Sequence, residues 1–235
     1  MQVQQKASHL QSFGGINFLN DYLDKVDFRK IVLSTLGSRS RLAKYRYDEL
    51  LSQIFFICSI GGDALNDSNI QHFQLSRHPH LRIAFADTIE YSFQQLRQPT
   101  EQQHTSTAIH QINEHSGFNK MLFLLCQMTG LLNGAEVYTM DYDGHIVENT
   151  KRDSAFTYKK TEGYYPVVCS MNKLPVYMQN RKGHTLEVYR AKEIIEQALQ
   201  QCVANNITVH RFRADACCYQ KDFIQYLENL DTPIK

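Results

Sequence analysis

The apolar residues of this chain change their spacing once, and that change limits the folds open to it. Up to about Leu96 they recur at helical intervals. Phe18, Leu19, Tyr22, Leu23 and Val26 form one stripe, and Leu50, Leu51, Ile54, Phe55 and Cys58 form another. Gly61-Gly62 ends the second helix, and Asp63 is placed to cap the next one. Pro79 suits the first turn of a short helix through Leu81, Ile83 and Phe85. Asp87 suits the N-cap of a helix carrying Ile89, Phe93 and Leu96. After Gly134 the period becomes that of strands. Glu136 to Asp143 alternates, Asp143-Gly144 is a hairpin signal, and Ile146-Val147 begins the return strand. Tyr164 to Ser170 predicts a third strand, extended by Pro175 to Met178. An amphipathic helix comes next, from about Glu187 to Asn205, with Val188, Ala191, Ile194, Ile195, Ala198, Leu199 and Cys202 inward. Ile207 to Ala214 reads as a strand ending at Asp215, and a last helix holds Phe223, Ile224 and Leu227.

This pattern predicts an α/β chain: an all-α N-terminal region over 1–97, a polar connector over 98–106, and a mixed sheet with flanking helices over 107–235. The last part opens with a helix whose Phe118, Met121, Leu122, Leu125 and Met128 face the core. A meander followed by a helical crossover to a new strand makes the sheet mixed.

At 235 residues the chain has room for one large domain or two small ones. No apolar run approaches the roughly 18 residues of a membrane span, and the N-terminus lacks the apolar core of a secretory signal. The six cysteines include no C-x-x-C pair, as expected of buried thiols in a reducing, cytoplasmic setting. No H-E-x-x-H or similar spacing marks a zinc site. The net charge of +1 gives no general support to nucleic-acid binding, so any DNA contact falls to local clusters. These are Arg39, Arg41, Lys44 and Arg46; Lys151 and Arg152; Lys159 and Lys160; and Arg181 with Lys182. Each also reads as an ordinary solvated face.

Two acidic sites stand out by position. Asp141 and Asp143 are one residue apart on a strand and so share a face, while Asp215 closes a different strand. If those strands lie side by side, the carboxylates converge at one edge. Converging carboxylates repel unless a hard divalent cation neutralises them. Asp143-Gly144 also suits a plain turn, and Asp215 also suits a helix cap; Asp141, in mid-strand, has neither role.

The segments Thr139-Met140-Asp141-Tyr142-Asp143-Gly144-His145 and Arg213-Ala214-Asp215-Ala216 resemble the first and second acidic motifs of DDE-type insertion-sequence transposases. Gly163-Tyr164-Tyr165-Pro166 resembles that family's G-Y-x-P strand, and Asn180-Arg181-Lys182-Gly183-His184 its R-x-G loop. Gly61-Gly62-Asp63-Ala64-Leu65-Asn66-Asp67 resembles its G-G-x-x-x-x-D segment. The likeness runs from about Gly14 to Leu230.

The resemblance implies a partial ribonuclease H-like core behind a helical DNA-binding or dimerisation region. It also implies Mg²⁺ (or Mn²⁺) held by Asp143 or Asp141 together with Asp215. The implied activity is cleavage and transfer of DNA strands at the element's terminal repeats, with Arg39, Arg41, Lys44, Arg46, Arg181 and Lys182 at phosphates. The family alignment favours Asp143 as first ligand, and the turn argument favours Asp141. The family's catalytic glutamate lies well downstream of the second aspartate, and Glu228 and Asp231 come too early for it. The expectation is therefore a C-terminally truncated enzyme, one acid short and inactive alone. The alternative is a non-catalytic DNA-binding remnant that pairs with itself or with a full-length copy.

Overall fold

The computed structural model describes residues 13, 15–75, 81–105, 109–230 and 234. The chain forms two compact units, Met1–Arg97 and Gln98–Lys235.

The first unit contains five helices among its described residues: α1 (Ile16–Lys25), α2 (Phe28–Leu36), α3 (Tyr47–Ser59), α4 (Asp67–Leu75) and α5 (Ala86–Gln94). Leu50, Ile89 and Ala84 are fully buried around Tyr45. The first predicted stripe is only half inward: Leu23 and Val26 are buried, whereas Phe18 is 79% exposed. Asp63 does not cap. Instead the carboxylate of Asp67 accepts the backbone N–H groups of Asp63 and Ala64, at 3.0 and 3.1 Å. Gly62 leaves room for this, since a Cβ there would lie 2.8 Å from Asp67 Oδ2. The stretch 81–85 is not the predicted helix, and Pro79 lies outside the described residues. The backbone there is tied to side chains. The Gln53 amide bonds both N–H and C=O of Ala84 at 2.8 and 2.7 Å, and the Tyr45 hydroxyl donates to Ile83 O. Helix α5 then starts one residue before Asp87, which sits in its first turn and not at its cap.

The second unit runs β1 (Glu101–His104), β2 (Ile109–Asn113), α6 (Ser116–Met128), β3 (Val137–Gly144), β4 (Val147–Glu148), β5 (Ala155–Phe156), β6 (Glu162–Tyr164), β7 (Val167–Met171), β8 (Leu174–Arg181), α7 (Ala191–Ala204), β9 (Thr208–Ala214) and α8 (Lys221–Glu228). Six strands form one mixed sheet in the order β1-β2-β8-β7-β3-β9, with β3 and β9 parallel and the other pairs antiparallel. The expected polar connector contributes β1, a strand whose side chains are all exposed and whose order comes from pairing with β2.

The predicted hairpin at Asp143-Gly144 does not form. β3 pairs with β7 and β9, while β4 joins β5 and β6 in a separate three-stranded sheet. The predicted strand from Tyr164 is likewise divided at Tyr165-Pro166 between the two sheets. Alternation along β3 buries Tyr138, Met140 and Tyr142 against Ile194, Ile195, Ala198 and Cys202 of α7, together with Val167, Cys169 and Met171. Each of the Val, Ile and Met side chains among them contributes about 1.5–3 kcal/mol of transfer free energy. On α6 the buried residues are Asn119, Met121, Phe123 and Cys126, while Met128 of the predicted stripe is 49% exposed. Asn119 replaces a neighbouring strand at Met178, bonding its N–H and C=O at 2.9 and 3.0 Å. No helix among the described residues is long and apolar enough to cross a membrane.

Candidate metal centre

The burial of Tyr138, Met140 and Tyr142 leaves Thr139, Asp141 and Asp143 on the opposite face of β3. The parallel neighbour β9 is in register with it, Asp141 beside Arg213 and Tyr142 beside Ala214. The next residues on each chain are Asp143 and Asp215, so the two carboxylates emerge together at one end of the strand pair. Asp215 precedes a short 3₁₀ turn (Ala216–Cys218), but its side chain makes no cap hydrogen bond and stays available.

The two candidate first ligands part here. Asp141 is held by Arg213 in a two-pronged ion pair, Nε–Oδ1 2.5 Å and Nη2–Oδ2 2.8 Å. Asp143 and Asp215 have no ion-pair partner among the described residues. A third carboxylate joins them: one oxygen each of Asp143, Glu187 and Asp215 lie within 4.8 Å of one another.

Glu187 escaped the sequence analysis because it read as the first residue of the amphipathic helix. That helix begins later, at Ala191 behind Arg190, whose φ is 53°. Residues 182–190 form a turn, pinned at Glu187. The hydroxyl of Tyr142 and Nη1 of Arg181 both donate to Glu187 O, at 2.7 and 2.9 Å, and Arg181 Nη1 also donates to Leu186 O at 2.7 Å. Burial raises the Tyr142 pKa, keeping its hydroxyl a donor. The Tyr165 hydroxyl donates to Glu187 Oε2 at 2.6 Å, and Glu187 Oε1 is buried with no hydrogen-bond partner. The signal in the chain is an acid just beyond the Arg181-Lys182-Gly183-His184 loop, with nothing apolar to bury at its own position.

Gly144 has a role other than turning the chain. A Cβ there would fall 2.6 Å from the Tyr165 ring, so glycine lets that ring reach across the end of β3 to Glu187.

The basic residues divide. Arg181, expected at DNA phosphates, is 1% exposed and directs Nε and Nη1 at protein oxygens, Gln179 Oε1 included. Lys182 beside it is half-buried. In the first unit, Arg39, Arg41 and Arg46 line one groove with Arg29. Arg46 there is already paired with Asp48 and Glu49, at 2.7 and 3.0 Å. Arg39 donates to Tyr45 O, and Lys44 lies 5.1 Å from the centre of the Tyr45 ring.

Cys126, Cys169 and Cys202 are free and buried, Cys218 is buried, and Cys58 is free and exposed. Burial pushes the Cys202 thiol up to about 12, which removes it as a nucleophile or thiolate ligand. Comparisons of the chain with known protein families, characterised proteins and solved structures find no match.

Proposed function

We propose that the 98–235 unit is a Mg²⁺- or Mn²⁺-dependent phosphodiester-processing domain. We further propose that it has a partial ribonuclease H-like architecture and is of the DDE transposase type, acting on DNA ends. The observation that carries this reading is the convergence of Asp143, Glu187 and Asp215, none of which has an ion-pair partner among the described residues. Three carboxylates so close cost free energy unless a cation joins them. An all-oxygen set suits a hard ion that keeps water and substrate oxygens as its other ligands. The unpartnered Oε1 of Glu187 fits a ligand in waiting.

A divalent ion held there supplies Lewis acidity to a phosphoryl oxygen and lowers the pKa of an attacking hydroxyl. The protein's own part is positional. Tyr165 fixes the rotation of the Glu187 carboxylate, Arg181 and Tyr142 fix its backbone, and Asp141 is withheld from the cluster by Arg213. That guanidinium, at the mouth of the site, is also placed to meet a phosphate. The deciding measurement is Mn²⁺ titration of the full chain. Asp143→Asn, Glu187→Gln and Asp215→Asn should each weaken binding by roughly tenfold or more, while Asp141→Asn leaves it near wild type. Equal affinity in all four variants would remove the metal centre. Mg²⁺-dependent nicking of terminal-repeat DNA, lost in the same three variants, tests the chemistry.

The arginine-lined groove in 1–97 favours a second reading, a DNA-binding protein without catalysis that recognises terminal repeats or pairs with a further copy. DNA binding indifferent to Mg²⁺ and to Asp215→Ala would select it.

A further inference from the structure

The small sheet of β4, β5 and β6 contributes no carboxylate to the cluster, yet it reaches the cluster's edge. Its β5–β6 hairpin is closed by Thr157 N–H to Thr161 O at 2.8 Å and by Lys160 N–H to Thr157 O at 2.9 Å. Lys160 sits at φ 64°, a left-handed conformation that an L side chain rarely adopts. The tip between Thr157 and Thr161 presents Tyr158, Lys159 and Lys160, all exposed, and no acid. Phe156 and Tyr158 are each 64% exposed, two large rings on one short hairpin. The Tyr158 ring lies 5.6 Å from that of Tyr165, the residue whose hydroxyl holds Glu187, and Lys159 Nζ lies 5.7 Å from the Tyr158 ring centre. Lys151 and Arg152, exposed in the turn before β5, add two further cations to the same small sheet.

A largely exposed aromatic ring, lysines beside it and the carboxylate cluster thus form a continuous path through Tyr158, Tyr165 and Glu187. We infer that the hairpin tip Tyr158–Lys160 is a platform for an unpaired DNA strand. A base stacks on Tyr158 and adjacent phosphates meet Lys159 and Lys160, which holds the strand beside the cluster. The inference rests on reading the cluster as a phosphodiester site. Stacking on an exposed ring combined with lysine contacts to the backbone is how single strands are held without sequence preference. An acidic peptide would satisfy the lysines but gives the ring face no planar partner.

The test is fluorescence anisotropy of the full chain with a labelled single-stranded oligodeoxynucleotide in excess EDTA. Tyr158→Ala should weaken binding about tenfold, while Tyr158→Phe, which keeps the ring, stays within about twofold. The double variant Lys159→Ala/Lys160→Ala should also weaken binding and reduce the salt slope by roughly 0.7 for each phosphate no longer neutralised. The tip is exposed, so these variants should melt like the wild type. Unchanged affinity in Tyr158→Ala would overturn the platform. So would displacement by polyglutamate as readily as by unlabelled oligonucleotide. Because no metal is present, a failure of the carboxylate cluster to bind Mn²⁺ is a separate result. Intact Mn²⁺ binding with unchanged Tyr158→Ala affinity removes the platform alone.

Discussion

Asp141 and Asp143 differ by one strand pitch and share a face, yet their surroundings assign them opposite roles. Arg213 stands opposite Asp141 in the β3–β9 register and neutralises it, whereas Asp143 lies one residue past the last β3–β9 pair, beside Asp215 and Glu187. Residue type could not separate them, because the distinction lies in which cation the neighbouring strand supplies. His184, in the turn that precedes Glu187, shows a related dependence on surroundings. Burial first, and then the charges of Lys182 and His110, lower its pKa below the ordinary 6.5. The folded state therefore binds a proton less readily than the unfolded chain. The stability His184 contributes is complete above about pH 6.5 and is lost as pH falls from there through the lowered folded value. His184→Asn should flatten the fall in denaturation midpoint below pH 6.5, read by urea melts across that range. An unchanged slope would mean that His110 or other groups set it.

The 182–190 turn is the element on which the cluster depends. A turn of this length, exposed at Leu186, buried only at Gly183 and Thr185 and half-buried elsewhere, has little apolar area to order it. Its order comes from Arg181 and Tyr142 bonding the carbonyl of Glu187 and from the buried Thr185 hydroxyl bonding the backbone of Gln111. Replacing Arg181 by Met keeps the volume but leaves the carbonyls of Leu186 and Glu187 with one donor each in place of two. The expected cost is about 2–4 kcal/mol. Mn²⁺ affinity should drop along with stability, although Arg181 itself touches no metal. Mn²⁺ titration beside a urea melt checks both. A stable Arg181→Met protein with full Mn²⁺ affinity would show that Tyr142 and Tyr165 position Glu187 without it.

Across the whole chain, the cluster draws its three acids from segments far apart in sequence: the end of β3, the turn before α7 and the end of β9. An ion that bridges them ties those segments together in the folded state alone, so it should raise stability by about 2.7 kcal/mol at a hundredfold excess over its Kd. Hydrogen exchange followed by mass spectrometry should then show Mn²⁺-dependent protection around Asp143–His145, Gly183–Arg190 and Arg213–Cys218. Protection spread evenly over the chain, or confined to surface acids elsewhere, would speak against a shared ion. The three-stranded sheet adds a second level of organisation, since Tyr158 and Tyr165 join its tip to the same turn.

The amino-acid sequence alone settled what depends on local period and local chemistry. The change from helical to alternating spacing near Gly134 marked the helical first part and the mixed sheet. The apolar face of α7 was legible from Ala191 to Cys202, and Asp143 and Asp215 stood out as acids at strand ends. Pairing was not legible, because hydrogen bonds between distant strands carry no local signature. Asp143-Gly144 has the composition of a tight turn, but Gly144 is there to admit the Tyr165 ring, and β3 takes β7 and β9 as neighbours. Glu101–His104 lacks apolar residues and still becomes a strand, because the edge of β2 offers its backbone partners. Arg181 looked like a surface cation and proved to be buried, because three acceptors converge on it only once β8 and the turn after it are folded. Glu187 became the third acid for the same reason: its neighbours are made by packing, and one-dimensional order cannot show which distant carboxylates packing will force together.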